Sequence, residues 1–237
     1  MLYSRRLFIA ALGATSATAW CQPVSCTSPS LGALSQRMGK AWLCMADPDV
    51  TTSAREVLYA SCSAFEQQLT QQSRSPDGPE QAGSLRALAR RYEDYQALLA
   101  TKPGIDGHRA LLSTANEMLT LAQLSNGSRA ALPWQARLAS RQRLLSQRVA
   151  LLALANPGAE TTRRERQAAI YEFEAGLQTL RKSGGAGLLD GLTQADAAWA
   201  PLKDGASTGR PVPVFVASER LLAVMDAMTE HCIRLPA

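Results

Sequence analysis

The sequence predicts an all-α protein: two tandem antiparallel four-helix bundles packed against each other as a pseudo-dimer. Three observations lead there. Ala, Leu, Gln, Arg and Glu dominate, aromatic residues make up only 5% of the 237 residues, and Val and Ile are scarce. That balance favours helices over sheets. A short motif recurs: Leu34-Ser35-Gln36-Arg37 returns as Leu145-Ser146-Gln147-Arg148, 111 residues later. Weaker matches follow in the same order. Phe65-Glu66 pairs with Phe173-Glu174, Tyr95 with Trp199, and Glu117 with Glu219. Finally, Pro and Gly clusters cut each half into four segments of helical length.

Residues 1–19 stand outside this scheme. Arg5 and Arg6 precede an apolar stretch, Leu7 to Ala14, and then Ala17-Thr18-Ala19. A positive start, a short apolar core and an A-x-A site form a cleavable export signal. The Ser4-Arg5-Arg6-x-Phe8 pattern suits the twin-arginine route better than a general secretion signal. The stretch is too short to span a bilayer, which takes roughly 20 apolar residues. No later run qualifies, so the expected mature protein is periplasmic and not membrane-spanning. Trp20 directly before Cys21 departs from a lipobox, which disfavours a lipid anchor there.

The first half, residues 30–125, is expected to hold helices over 30–46, 51–73, 80–101 and 107–125. Asp47-Pro48-Asp49, Ser75 to Pro79 and Lys102-Pro103-Gly104 separate them. Ser125-Asn126-Gly127-Ser128 links the halves. The second half, residues 134–235, is expected to hold helices over 134–155, 160–182, 187–202 and 212–233. Its breakers are Asn156-Pro157-Gly158, Ser183-Gly184-Gly185 and the stretch from Gly205 to Pro213. Thr51-Thr52-Ser53 and Thr161-Thr162 are candidate helix caps. Short connections between helices of similar length imply up-and-down bundles.

The first helix of each half is the most informative. At 100° per residue, Leu34, Met38, Ala41 and Met45 fall within about 40° of one direction, the face toward their own bundle. Leu145, Val149 and Leu152 do the same in the second half. The opposite faces carry Gly32, Gln36 and Leu43, and Arg143, Gln147 and Leu154. A leucine and a glutamine on each suggest that the two first helices pack together. Arg37 and Arg148 lie about 60° from the core stripes and are expected to bond within their own bundles.

Arg141-Gln142-Arg143-Leu144-Leu145-Ser146-Gln147-Arg148 resembles the signature of the PilJ-type domain, and Ser35-Gln36-Arg37-Met38-Gly39-Lys40-Ala41 is a shorter match. That domain is the N-terminal part of type IV pilus methyl-accepting transducers and is related to the sensor domain of nitrate/nitrite sensor kinases. The resemblance covers most of residues 30–235. In the sensor relatives an anion is held where two first helices meet, by one arginine from each. By position that arginine is Arg143, and its counterpart in the first half is Gly32, which departs from the pattern. The resemblance therefore implies a lopsided site of Arg143, Gln147, Gln36, Gly32 and Lys40, with Ser35, Arg37, Arg141, Ser146 and Arg148 as the surrounding motif.

Little in the sequence suggests catalysis. No G-x-S-x-G, Walker loop or G-x-G-x-x-G occurs, and no cofactor is implied. The two histidines, His108 and His231, lie far apart in sequence. Glu230-His231-Cys232 point in different directions on a helix, so no metal site is expected. The net charge of +5 is spread along the chain without a basic run, which argues against nucleic acid. Cys26 and Cys232 are a candidate disulfide if helix starts and ends adjoin across the halves. The expected function is an exported sensory accessory protein that binds a small ligand, an oxyanion such as nitrate or nitrite among the candidates. A membrane receptor or transporter is the partner such a protein would serve. The alternative is an interaction protein whose bundles dock a signalling partner without any small ligand. The export reading has a direct test. Changing Arg5 and Arg6 together to Lys should block transport by the twin-arginine route, and a double variant that still reaches the periplasm at normal yield would assign the signal to general secretion.

Overall fold

A computed structural model describes residues 29–125, 132–156, 158–183 and 186–234. Every element among them is helical. They are α1 (Leu31–Cys44), α2 (Thr51–Arg74), α3 (Pro79–Leu99), α4 (Ile105–Leu124), α5 (Trp134–Leu154), α6 (Glu160–Ser183), α7 (Leu189–Thr208) and α8 (Pro211–Arg234). A 3₁₀ turn, Ala186–Leu188, leads into α7. The export signal, Cys21, Cys26 and residues 126–128 of the linker lie outside the described residues.

Local chemistry explains several helix ends. Ser30 caps α1, its Oγ accepting from the Ala33 amide at 3.1 Å. Pro79 and Pro211 occupy first-turn positions, where the missing N–H costs nothing. Gly209 closes α7 in the left-handed conformation at φ 66°. Two expectations need correction. Thr51 does not cap α2 with its side chain; its hydroxyl donates to the carbonyls of Met45 and Asp47 and ties down the preceding loop. Helix α7 does not stop at residue 202 but runs through Pro201 and Gly205 to Thr208. The exposed Pro201 forfeits a single backbone bond, and Gly205 serves close packing instead. A Cβ there would lie 3.3 Å from Pro213 and from the Val214 amide nitrogen.

In the first half, α1 packs on α2 and α4, and α3 packs on α4 and α2. In the second, α5 packs on α6 and α8, and α7 packs on α8 and α6. Between the halves, α1 lies against α5 and touches α8. Each half carries the same aromatic stack. Phe65 stacks on Tyr92 with centroids 4.5 Å apart, and Phe173 stacks on Trp199 at 4.2 Å. The polar ends match too: Tyr92 Oη donates to Glu66, and Trp199 Nε1 donates to Glu174. The residue equivalent to Trp199 is therefore Tyr92, one turn before the Tyr95 that sequence spacing suggests. Tyr95 is instead buried against α1, its hydroxyl donating to the Ser35 carbonyl at 3.0 Å.

Helix α1 is buried on every side, with Arg37 its one side chain outside the buried class. This follows from its place between its own half and α5. Leu34, Met38 and Ala41 do lie in the core, and Met38 touches Cys62 of α2. The opposite face is shared rather than given wholly to the other half. A Cβ on Gly32 would meet Leu119 of α4 at 2.9 Å and Leu144 of α5 at 3.2 Å. At Gly39 the two first helices pack closely: a Cβ there would meet the Tyr95 hydroxyl at 2.5 Å and Leu151 of α5 at 3.1 Å. Gly39→Leu should therefore lower the unfolding free energy by about 1–3 kcal/mol through overpacking, measured by chemical denaturation. An unchanged midpoint and slope would mean that α1 and α5 do not meet there.

Candidate functional site

The repeated Ser-Gln pair makes the same local arrangement twice. Ser35 Oγ donates to the Gly32 carbonyl, and Ser146 Oγ donates to the Arg143 carbonyl. Gln36 Nε2 donates to Ser35 Oγ and to the Ala115 carbonyl of α4. Gln147 Nε2 donates to Ser146 Oγ and to the Ser218 carbonyl of α8. Each glutamine is thereby locked to the fourth helix of its own half, and its Oε1 faces the other half. There Gln147 accepts from Lys40 Nζ at 2.7 Å, and Gln36 accepts from Arg148 Nη1 at 3.4 Å. The two motif regions clasp each other reciprocally.

The arginines cross the seam as well, which corrects the expectation that both stay in their own bundles. Arg37 of α1 forms a two-point pair with Glu219 of α8, at 3.1 and 2.5 Å. Arg148 of α5 donates to Asn116 of α4 at 2.9 Å and pairs with Glu165 of α6, also at 2.9 Å. Lys40 is fully buried, and its ammonium reaches Gln147, Ser218 Oγ at 2.9 Å and Glu219 at 2.5 Å. It also lies 5.3 Å from the centre of the Phe215 ring. Burial lowers the Lys40 pKa, and Glu219 opposes that shift. Burial alone would raise the Glu219 carboxyl, but Lys40 and Arg37 overcome it and hold it down at about 2. Three acceptors exhaust the donors of Lys40, so this cluster is a structural lock.

Arg143 lies deep in the second half, 1% exposed, with Nε 2.5 Å from Asp226 Oδ1 of α8. Burial lowers its pKa and raises that of Asp226, and the pair opposes both shifts. Gly32 offers it no empty space, because Leu119 and Leu144 fill the room beside that glycine. The five residues named for the site thus separate. Gln36, Lys40 and Gln147 meet at the seam, Arg143 turns to α8, and Gly32 is a packing position. Of the decisive carboxylates, Glu219 stands out in sequence only as the repeat partner of Glu117, and Asp226 does not stand out; the signal for both is that a buried Arg143 and Lys40 require acidic partners, which the facing stripe lacks.

The open feature lies on the next face of α5. A cleft of about 370 Å³ runs between α4, α5 and α6. Arg141, Arg148, Glu165 and Glu172 line it, with Asn116, Thr120 and Gln123 across from them. Leu144, Leu145, Ala168 and Ala169 contribute its apolar surface. Arg141 pairs with Glu172 at 2.6 Å. Both motif arginines outside the lock therefore open onto one polar groove between the halves.

Elsewhere, His108 is partly buried edge-on to Trp42 at 6.4 Å, and burial lowers its pKa. Cys232 is a buried free thiol, and Cys26, its candidate disulfide partner, lies outside the described residues. Among the described residues, no group of three His, Cys, Asp or Glu side chains could hold a metal ion, and no helix is long and apolar enough to cross a membrane. No family model, curated protein or solved structure matches this chain.

The depressed Glu219 carboxyl has a measurable consequence. Its folded pKa lies below the unfolded value of about 4.3, so its stabilisation is present above that value and fades as pH falls toward 2. Glu219→Gln should flatten the pH dependence of unfolding free energy between about pH 4 and 2 while lowering stability at neutral pH. A variant with the parent's acid profile would remove Glu219 from the lock.

Proposed function

We propose that this protein is an exported sensory accessory protein that binds a small ligand where its two halves meet. In this reading the halves are two diverged copies of a PilJ-like four-helix module, joined as a pseudo-dimer through α1 and α5. The duplicated Ser-Gln arrangement and the duplicated aromatic stack support the modules. The arginine-lined cleft carries the functional part. Its volume of about 370 Å³ falls within the usual range for small-ligand sites, and both halves line it. Arg143 and Lys40 are both fully buried and paired with Asp226 and Glu219, which moves the ligand from the seam's axis to Arg141 and Arg148, whose partners Glu172 and Glu165 are more exposed. Oxyanions such as nitrate and nitrite remain within the class, because a guanidinium fork accepts any planar anion in two-point contact. The residue 1–19 signal supports a periplasmic site of action, delivering ligand occupancy to a membrane receptor or transporter.

A thermal-shift screen of inorganic and organic anions on mature protein tests this. A ligand at a hundredfold over its Kd stabilises the folded state by about 2.7 kcal/mol, an easily read shift. Arg141→Ala should cut the stabilisation to about half or less at the same ligand concentration. Arg143→Ala should lower the starting melting temperature while leaving the shift in place, because it strands Asp226 without touching the cleft. A screen in which no anion raises the melting temperature would defeat the reading, and loss of the shift only in Arg143→Ala would return the ligand to the seam's axis.

A further inference from the structure

Arg141 and Arg148 are seven residues apart on α5, and Glu165 and Glu172 are seven apart on α6. Arg141 pairs with Glu172 and Arg148 with Glu165, so the two helices run antiparallel and the pairs form two rungs across them. Seven residues of helix rise about 10 Å. Between the rungs lie Leu145 and the small Ala168, which is exposed and leaves a slot. The slot therefore has an apolar middle and a guanidinium at each end.

The first half does without these rungs, although its counterpart of Arg148 is the charged Arg37. Matching α1 to α5 through Gln36 and Gln147, and α2 to α6 through Phe65 and Phe173, sets Ser30 against Arg141, Val57 against Glu165 and Ala64 against Glu172. The first half builds the same helix pair with no charge at those three positions. The arginines are also the less exposed partners. The Arg148 side chain is 17% exposed against 41% for Glu165, and Arg141 is 38% exposed against 48% for Glu172. The carboxylates can swing to water at small cost, and the Arg148 guanidinium then remains held by Asn116 and Gln36.

We propose that the cleft binds an elongated dicarboxylate, one carboxylate on each of Arg141 and Arg148 and the apolar chain lying over Leu145 and Ala168. Glu165 and Glu172 occupy the arginines in the empty state and are displaced when the ligand enters. An inorganic oxyanion or a monocarboxylate reaches one rung only. This assignment rests on the ligand-binding reading above and specifies the class of ligand.

The test is calorimetric titration of the mature protein with suberate, succinate, acetate and nitrate. Suberate should bind at least about tenfold tighter than acetate, with succinate too short to bridge the rungs. Ala168→Leu should abolish suberate binding by filling the slot without removing a charge. Arg141→Ala should weaken it about tenfold or more. Glu172→Gln and Glu165→Gln remove the competing carboxylates and should each tighten binding, an effect that misfolding cannot produce. The proposal is overturned if suberate binds no better than acetate, if Ala168→Leu leaves its affinity unchanged, or if both glutamine variants bind it more weakly. Binding of nitrate without suberate would overturn the dicarboxylate and leave the ligand-binding reading standing. Binding of no anion at all would remove both.

Discussion

A buried ammonium fixes how the two halves meet. Lys40 has no access to water, and moving an isolated charge into such a place costs several kcal/mol even after relaxation. The cost is tolerable only if every donor finds an acceptor, and the three acceptors come from the other half: Gln147 of α5, and Ser218 and Glu219 of α8. Sliding α1 along α5 by one residue would carry Lys40 away from all three. The register of the seam is thus set by one side chain, and Arg37 reinforces it by taking both oxygens of the same Glu219.

The seam is reciprocal in design and unequal in charge. Each half offers a glutamine whose amide nitrogen is tied to its own fourth helix and whose oxygen accepts from the other half. On one side the contact is a buried lysine with a carboxylate. On the other it is Arg148 with the neutral Asn116, and the position matching Lys40 is Leu151. In the proposed reading of two diverged modules, duplication accounts for the shared geometry, and divergence accounts for one side being a closed lock while the other keeps a solvent-facing groove.

Much of this was legible in sequence, and the gaps have physical causes. Helix number followed from Pro and Gly breakers because backbone geometry is local. The Ser-Gln-Arg motif correctly pointed to the most constrained helices. The end of α7 was misread because Gly205 resembles a breaker, when its role is to let α8 approach. Tyr92 and Tyr95 share one face of α3 and both are buried, so spacing could not decide which stacks on Phe65. The partners of Arg37 and Lys40 were unreadable for another reason. Glu219 lies about 180 residues further along the chain, and helical periodicity describes a face but not what faces it. The same holds for Gln142, which is fully buried against Gly176 without a hydrogen-bond partner among the described residues.

Arg148 belongs to both the seam and the groove, so in the proposed reading a ligand there would be joined to the contact between the halves. Its guanidinium reaches Asn116 and Gln36 in the first half and Glu165 in the second. An anion that replaces only Glu165 leaves the cross-seam bonds intact and so favours the closed arrangement. An anion large enough to draw the guanidinium outward competes with Asn116 and Gln36 and favours a looser one. Because the same donors serve both purposes, the occupancy of the groove and the closure of the seam share a coupling free energy whose sign depends on which acceptor the ligand displaces.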